Sequence, residues 1–282
     1  MNTVIISDRL FSQFELILTA EALERLTPGP SKKTDTFALG VVDNGMPLGA
    51  IAVKCSPPTA EVISLYVVEE FRRLGLGSKL LLEAIINVMI MPGLSELIVP
   101  YAERPGEDVY TSFFKGLDMD VIDVGAEYRL KAGDALSSSK LKYKPRKKPV
   151  TEAWKDLKTG EKKMLFNEGA GLRDYHEQGK LREDLVYVAM DEDRKSYRGC
   201  IAVVEEENEL ILAWLRAEKA PFIMMELLHC VLQRISDNGE KDKQIRIPTI
   251  DPTSDAMVQD LFGKNFKVEY YSKRAVFDFA EG

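Results

Sequence analysis

Apolar and polar positions alternate along this chain in two rhythms, one of strands and one of helices. A short β-type run covers Thr3 to Ile6. Between Asp8 and Leu26, the residues Leu10, Phe14, Leu18 and Leu23 recur near the helical period and predict one or two helices with one buried face. Phe37 to Val42 and Leu48 to Val53 flank Asp43-Asn44-Gly45, a strong hairpin turn. Glu61 to Val67 predicts a central strand, and Ser78 to Met91 a helix that stops before Pro92-Gly93. Leu97 to Tyr101 is the next strand, Asp108 to Lys115 a helix, and Val121 to Leu130 a strand bent near Gly125. The order hairpin, strand, helix, strand, helix, strand predicts an α/β fold with a mixed (α+β) sheet, not a doubly wound one.

The pattern then repeats. Gly49-Ala50-Ile51-Ala52-Val53 matches Gly199-Cys200-Ile201-Ala202-Val203, and the strand from Ala60 to Val67 matches Asn208 to Leu215. Between these two matches the second copy reads two residues shorter, as a hairpin turn tolerates. Leu97 to Pro100 matches Ile245 to Pro248, and Ser112-Phe113-Phe114 matches Asp260-Leu261-Phe262, at the same offset as the strand match. Four matches in order predict a duplication. The competing reading is two unrelated α/β halves with similar strand chemistry. From Gly133 to Pro149 no period runs; Ser137-Ser138-Ser139 is followed by Lys140, Lys142, Lys144, Arg146, Lys147 and Lys148. That stretch reads as a solvated linker, although its charge would also suit an anionic surface. The expected organisation is a first domain over residues 1–133, a basic linker over 134–149 and a second domain over 150–282.

Composition narrows the function classes. A chain of 282 residues is long enough for two domains. Its net charge of −7 argues against a general nucleic-acid binder and mildly suits an amine substrate. No apolar run approaches the ~20 residues of a membrane helix, and no secretory leader precedes the first strand. Cys55, Cys200 and Cys230 have no metal-binding spacing, and His176 and His229 are the only histidines. A reduced cytoplasmic setting, no membrane, no metal and no histidine triad are the expectations.

The candidate chemistry lies after the central strand, in Leu65-Tyr66-Val67-Val68-Glu69-Glu70-Phe71-Arg72-Arg73-Leu74-Gly75-Leu76-Gly77-Ser78. Glycines let the backbone approach a phosphate, consecutive amides point at it, and the helix start adds partial positive charge. A Rossmann loop fits less well, because Leu80 stands where the third glycine belongs; a P-loop lacks its first glycine. The bland alternative is a tight strand-to-helix turn.

The spacing Arg72-x-x-Gly75-x-Gly77 resembles the acyl-CoA loop of the Gcn5-related N-acetyltransferases (GNAT). That resemblance implies two tandem acyl-CoA N-acyltransferase (GNAT) folds and acetyl-CoA as co-substrate. It implies that amides of Arg72, Arg73, Leu74, Gly75, Leu76, Gly77 and Ser78 hold the pyrophosphate. The backbone of Leu65, Tyr66 and Val67 would hold the pantetheine arm like an added strand. It further implies that Glu61, at the start of the central strand, is the base or water relay that takes the amine proton. By alternation Glu61 is expected to point the same way as Ile63, Leu65 and Val67; the alternative is an ordinary solvated carboxylate. Glu209 would occupy its place in the second copy. The family's later tyrosine place holds Phe114, so Tyr110, one helical turn earlier, is the substitute acid, with Tyr66 and Tyr101 behind it; a buried structural tyrosine is the other reading of Tyr110. Cys55 has no histidine to activate it, so direct attack in a ternary complex is expected, not a covalent enzyme intermediate.

In the second copy the cradle reads Ala220-Pro221-Phe222-Ile223-Met224-Met225, without arginine or glycine. One acyl-CoA per chain is expected, with the degenerate half left for packing, cleft shaping or a partner surface. The implied activity is acetyl transfer to a primary amine on a small molecule or peptide, by a monomer or dimer. The alternative is a non-catalytic acyl-CoA-binding or regulatory protein whose second half is an interaction module.

Overall fold

In a computed structural model, the described residues are 1–138, 151–169, 171–217, 221–263 and 266–279. The chain divides into two compact units: unit 1 is Met1–Asp123 with Ser272–Gly282, and unit 2 is Val124–Tyr271.

Unit 1 begins with β1 (Asn2–Ile5), α1 (Phe11–Phe14) and α2 (Ala20–Leu26). An antiparallel meander follows, of β2 (Thr36–Asp43), β3 (Met46–Ser56) and β4 (Thr59–Val67). Asn44 and Gly45 both have positive φ, 49° and 82°, the form a two-residue hairpin turn needs. The helix α3 (Leu76–Met89) crosses to β5 (Glu96–Glu103), which runs parallel to β4. Next come α4 (Val109–Lys115) and β6 (Asp120–Lys131). Strand alternation sends Val41, Ile51, Val53 and Val62 toward Leu80, Leu81 and Ala84 of α3. It sends Ala38, Ala50 and Ala52 to the other face, under Phe11, Phe14 and Ala22 of α1 and α2.

Unit 2 contains α5 (Ala132–Ser137), β7 (Glu152–Ala153), α6 (Thr159–Glu168), α7 (Leu172–Glu177), β8 (Tyr187–Met190), β9 (Tyr197–Glu206) and β10 (Glu209–Ala217). It continues through α8 (Pro221–Asp237), β11 (Gln244–Pro248), α9 (Pro252–Phe262) and β12 (Lys267–Asp278), the last of which crosses into unit 1. Its strand order is β6-β11-β10-β9-β8-β7, with β10 and β11 parallel. Among the described residues no helix is long and apolar enough to cross a membrane.

The unit boundaries fall inside β6 and β12, not at residues 133 and 150. The cause is burial. Ala126, Tyr128 and Leu130 of β6 are in the core of unit 2. Ala275 of β12 is in the core of unit 1, with Phe277 and Phe279 packed on it. Residues 132–137, expected as the edge of a linker, are the helix α5, held by buried Ala132 and Ala135. The rest of the predicted linker, residues 139–149, lies outside the described residues.

Strand register locates the repeat. Ser56 pairs with Thr59 across one two-residue turn, and Glu206 pairs with Glu209 across another. Both hairpins carry one β-bulge, at Ile63 between Val62 and Ser64, and at Ala213 between Leu212 and Trp214. The copies therefore keep a constant spacing through the whole hairpin, and the expected two-residue shortening is not there. Leu97 faces Ala60 as Ile245 faces Leu210, so the shortening falls later, between β10 and β11. This shifts one expectation: Glu209 is the counterpart of Thr59, and Ile211, facing Val204 as Glu61 faces Lys54, is the counterpart of Glu61.

Candidate acyl-coenzyme site

The parallel ladder between β4 and β5 contains Thr59 with Glu96, Ala60 with Leu97 and Glu61 with Ile98, and ends there. On its other side β4 stays paired with β3 as far as Val67. The two parallel strands thus part at Glu61, leaving the β5-side edge of β4 outside that ladder from Val62 onward.

At the open end of β4 the chain makes a compact bend. The Val68 amide donates to the Leu48 carbonyl at 2.9 Å, and the Arg72 amide donates to the Glu69 carbonyl at 3.1 Å. Arg73 and Gly75 then take positive φ, 63° and 79°, and Gly75 caps α3 without a side chain. The first amide tied back along the helix is that of Lys79, which donates to the Gly75 carbonyl at 3.0 Å. The amides of Leu76, Gly77 and Ser78 belong to the first turn, where a helix has no acceptor of its own. Arg72, Arg73, Leu74 and Gly75 are exposed. The Arg72 guanidinium lies 5.5 Å from the Tyr66 ring centroid, and its Nε donates to the Val67 carbonyl at 3.1 Å. A Cβ on Gly77 would meet Phe113 and the Val67 side chain at 3.8 and 3.9 Å. Free amides, two arginines and a left-handed glycine form an arrangement that suits a diphosphate. Leu65, Tyr66 and Val67 lie between that bend and the fork.

Glu61 is exposed at the fork, but not in the predicted direction. Ala60 and Val62 face α3, and so do Leu65 and Val67. Ile63 instead packs on the α1–α2 face. The extra residue at the Ile63 bulge inverts the alternation, so Glu61 shares a face with Ile63 and opposes Leu65 and Val67. That face is where α2 is docked. Thr19 Oγ1 donates to the Ile63 carbonyl at 2.9 Å, and the Thr19 amide donates to Ser64 Oγ at 3.2 Å.

Phe114 is 3% exposed, in the core beside α3, whereas Tyr110 is 52% exposed. The ring of Tyr101 lies against both, with centroid distances of 4.9 Å to Phe114 and 6.2 Å to Tyr110. Tyr66 is at the open edge under Arg72.

Sequence reasoning missed the group around Glu103. This carboxylate, at the end of β5, is 2% exposed. It accepts the Tyr110 and Thr111 amides at 2.9 and 3.2 Å, the Thr111 hydroxyl at 2.6 Å and Lys273 Nζ at 3.1 Å. Burial pushes its pKa up, but the Thr111 and Lys273 donors and the Tyr110 amide outweigh it, leaving the carboxyl below its ordinary value. Tyr101 Oη lies 3.0 Å from Thr111 Oγ1, and burial raises its phenol above the usual range. Glu103 thereby fixes the start of α4, and with it the rings of Tyr110 and Phe114. Lys273 comes from the far end of the chain, which no local pattern announces.

Residues 8–102 match the model of the acetyltransferase (GNAT) family. No curated protein matches the sequence at a significant level. Among solved structures, the chain is similar to a tandem GNAT protein from the clavulanic acid biosynthesis pathway, at 15% identity and a TM-score of 0.57, over 99% of this chain and 98% of that one. It is similar to a GCN5-related N-acetyltransferase from Sphaerobacter thermophilus, at 15% identity and a TM-score of 0.55, over 98% and 96%. It is also similar to a probable N-acyltransferase from Enterococcus faecalis, at 12% identity and a TM-score of 0.59, over 99% and 73%. At these identities the likeness is one of fold.

Proposed function

Starting from a chain that has a GNAT-family acetyltransferase domain at residues 8–102 and the tandem GNAT fold throughout, we propose that unit 1 transfers an acetyl group from acetyl-CoA to a primary amine. The observation that carries this reading is the early end of the β4–β5 ladder, with Glu61 at the fork and the Gly75 bend at the other end of the open edge. The amides of Arg73 to Ser78, with Arg72 and Arg73, take the pyrophosphate. The freed edge of Leu65, Tyr66 and Val67 takes the pantetheine arm as an added strand. To accept it, the Arg72 side chain releases the Val67 carbonyl. The six residue steps from Glu61 to Val67 span roughly 20 Å of strand, so the acyl end of a molecule laid along the edge comes to the fork.

The coenzyme supplies the acetyl thioester. Glu61, on the α1–α2 face, takes a proton from the ammonium, directly or through water, and the neutral amine attacks the thioester carbonyl carbon in one ternary complex. The carbon–sulfur bond breaks, the electron pair leaves on a thiolate, and the attacking nitrogen gives up its second proton to water. Tyr110 is the proton donor we assign to it, since its hydroxyl-bearing ring is exposed beside the Tyr101 ring. Thiols are good enough leaving groups near neutral pH that an absent donor does not stop the reaction. We assign the setting as cytoplasmic, with a small amine or a peptide amine as acceptor and a monomer or dimer as the working form.

The buried Phe114 favours a second reading, a non-catalytic acyl-CoA binder. Incubation with acetyl-CoA and a panel of polyamines, amino sugars, amino acids and peptides, followed by free thiol, separates the two. Amine-dependent thiol release supports transfer. Stoichiometric coenzyme binding without release on any amine supports the binder. Failure to bind coenzyme overturns both.

A further inference from the structure

Unit 2 repeats the fork of unit 1 without its anion-binding bend. The β10–β11 ladder contains Leu210 with Ile245 and Ile211 with Arg246, whereas β10 continues to Ala217 and β11 to Pro248. Between the parted ends lies a cavity of about 190 Å³. Its walls include Leu212, Leu228, Ile247, Met257, Leu261 and Phe262. Ile250, 78% exposed, stands at its edge.

The polar residues on its lining already have hydrogen-bond partners. Thr249 Oγ1 accepts the Ala126 amide at 2.7 Å and lies 3.2 Å from Asp255 Oδ1. Asp251 accepts the Thr253 and Ser254 amides at 2.8 and 2.9 Å, and its pKa is lowered by the Ser254 and Thr253 donors. Ionised and capping α9, it repels an anion. The sequence from Glu218 to Met225 contains no glycine and carries Pro221, which has no N–H to give. Among the described residues lining the cavity there is no arginine, lysine or glycine to invite phosphate.

We propose that this cavity is a binding site for a compact, uncharged, apolar small molecule, of the size of one aromatic ring or a short branched alkyl or acyl group. Natural interiors are packed with few voids larger than a water molecule, and an apolar cavity of roughly 150 Å³ stays dry and admits benzene. The unit 2 cavity is larger and predominantly apolar, and it opens at the place where the fold parts its strands. The site takes the hydrocarbon part of a ligand and has no grip on a nucleotide. It neither needs nor competes with the coenzyme proposed for unit 1.

Toluene is the probe. It is titrated into the full chain labelled with methyl-¹³C methionine, with Met257 assigned by M257L, and binding is also followed by calorimetry. A saturable Met257 shift with one toluene per chain is expected. The variant L212F/M257F fills the cavity; it should melt cooperatively and bind toluene at least tenfold more weakly. If the double variant does not fold, L212F alone and M257F alone replace it, and each should weaken binding. No saturable shift in the folded wild type up to the solubility of toluene overturns the proposal. So does unchanged affinity in folded filled variants, or displacement of toluene by acetyl-CoA. Coenzyme titration into the same samples reads unit 1 separately, so the failure of one site does not pass for failure of the other.

Discussion

At the scale of single residues, the proposed chemistry rests on Gly75 and Glu61. Gly75 sits at a φ of 79°, where a β-branched side chain is strained. Replacing it with valine is expected to cost about 1–2 kcal/mol of backbone strain and to lower acetyl-CoA affinity at least tenfold by calorimetry. Gly77→Ala should fold as the wild type, because its new methyl meets Phe113 only at 3.8 Å. Glu61→Gln is expected to lower kcat by about 10²–10⁴ and to leave coenzyme affinity unchanged. Retention of full turnover would remove Glu61 from the reaction. The left-handed turn at Gly75 and the exposed carboxylate of Glu61 on the central strand were legible in the sequence, because glycine and charge signal their needs locally. The direction of Glu61 was not. A bulge is one extra residue in a ladder, visible only once the partner strand is known, as is the turn register that reassigned Glu209. With Ile211 at the matching place, the second copy lacks the glutamate as well as the glycines.

At the scale of elements, the period of apolar residues gave the hairpin, the central strand, α3 and α4 within a few residues. It could not give the Glu103 cluster, whose members come from β5, α4 and β12. Lys273→Met should destabilise unit 1 by about 3–5 kcal/mol, since it strips the cation from a buried carboxylate. The double variant E103Q/K273M should lose less than the sum of its parts, in urea titrations. The acid dependence has a definite sign. The folded Glu103 pKa lies below its unfolded value, near 4.3 for a free glutamate. Its contribution is therefore complete above that pH and is lost as pH falls through the lower, folded value. Glu103→Gln removes that part of the acid slope in the urea midpoint. A slope equal to that of the wild type would mean the carboxyl is not held in the way the hydrogen bonds describe.

At the scale of the whole molecule, the repeated order of elements was readable from the ordered matches, although register moves the strand match by two residues, but the partition into units was not. Periodicity says that β6 and β12 are strands; it does not say which core each one joins. Burial of Ala126, Tyr128 and Leu130 in one unit, and of Ala275 in the other, settles it. A chain cut after residue 133 at the expected boundary lacks Lys273 and Ala275. It is expected to melt well below the intact protein and to lose coenzyme binding. A chain ending at residue 271 should lose unit 1 in the same way, followed by circular dichroism and calorimetry. Full coenzyme binding by either shortened chain would show that the last strand is dispensable.

The placement of Lys273 and Ala275 also sets an order on synthesis. Unit 1 is translated as far as Asp123, yet its last strand segment follows only after the whole of unit 2. At roughly 5–20 residues per second, the nascent half waits on the order of ten seconds with one strand position vacant. In that interval its core is incomplete, and a chaperone has the most to shield there.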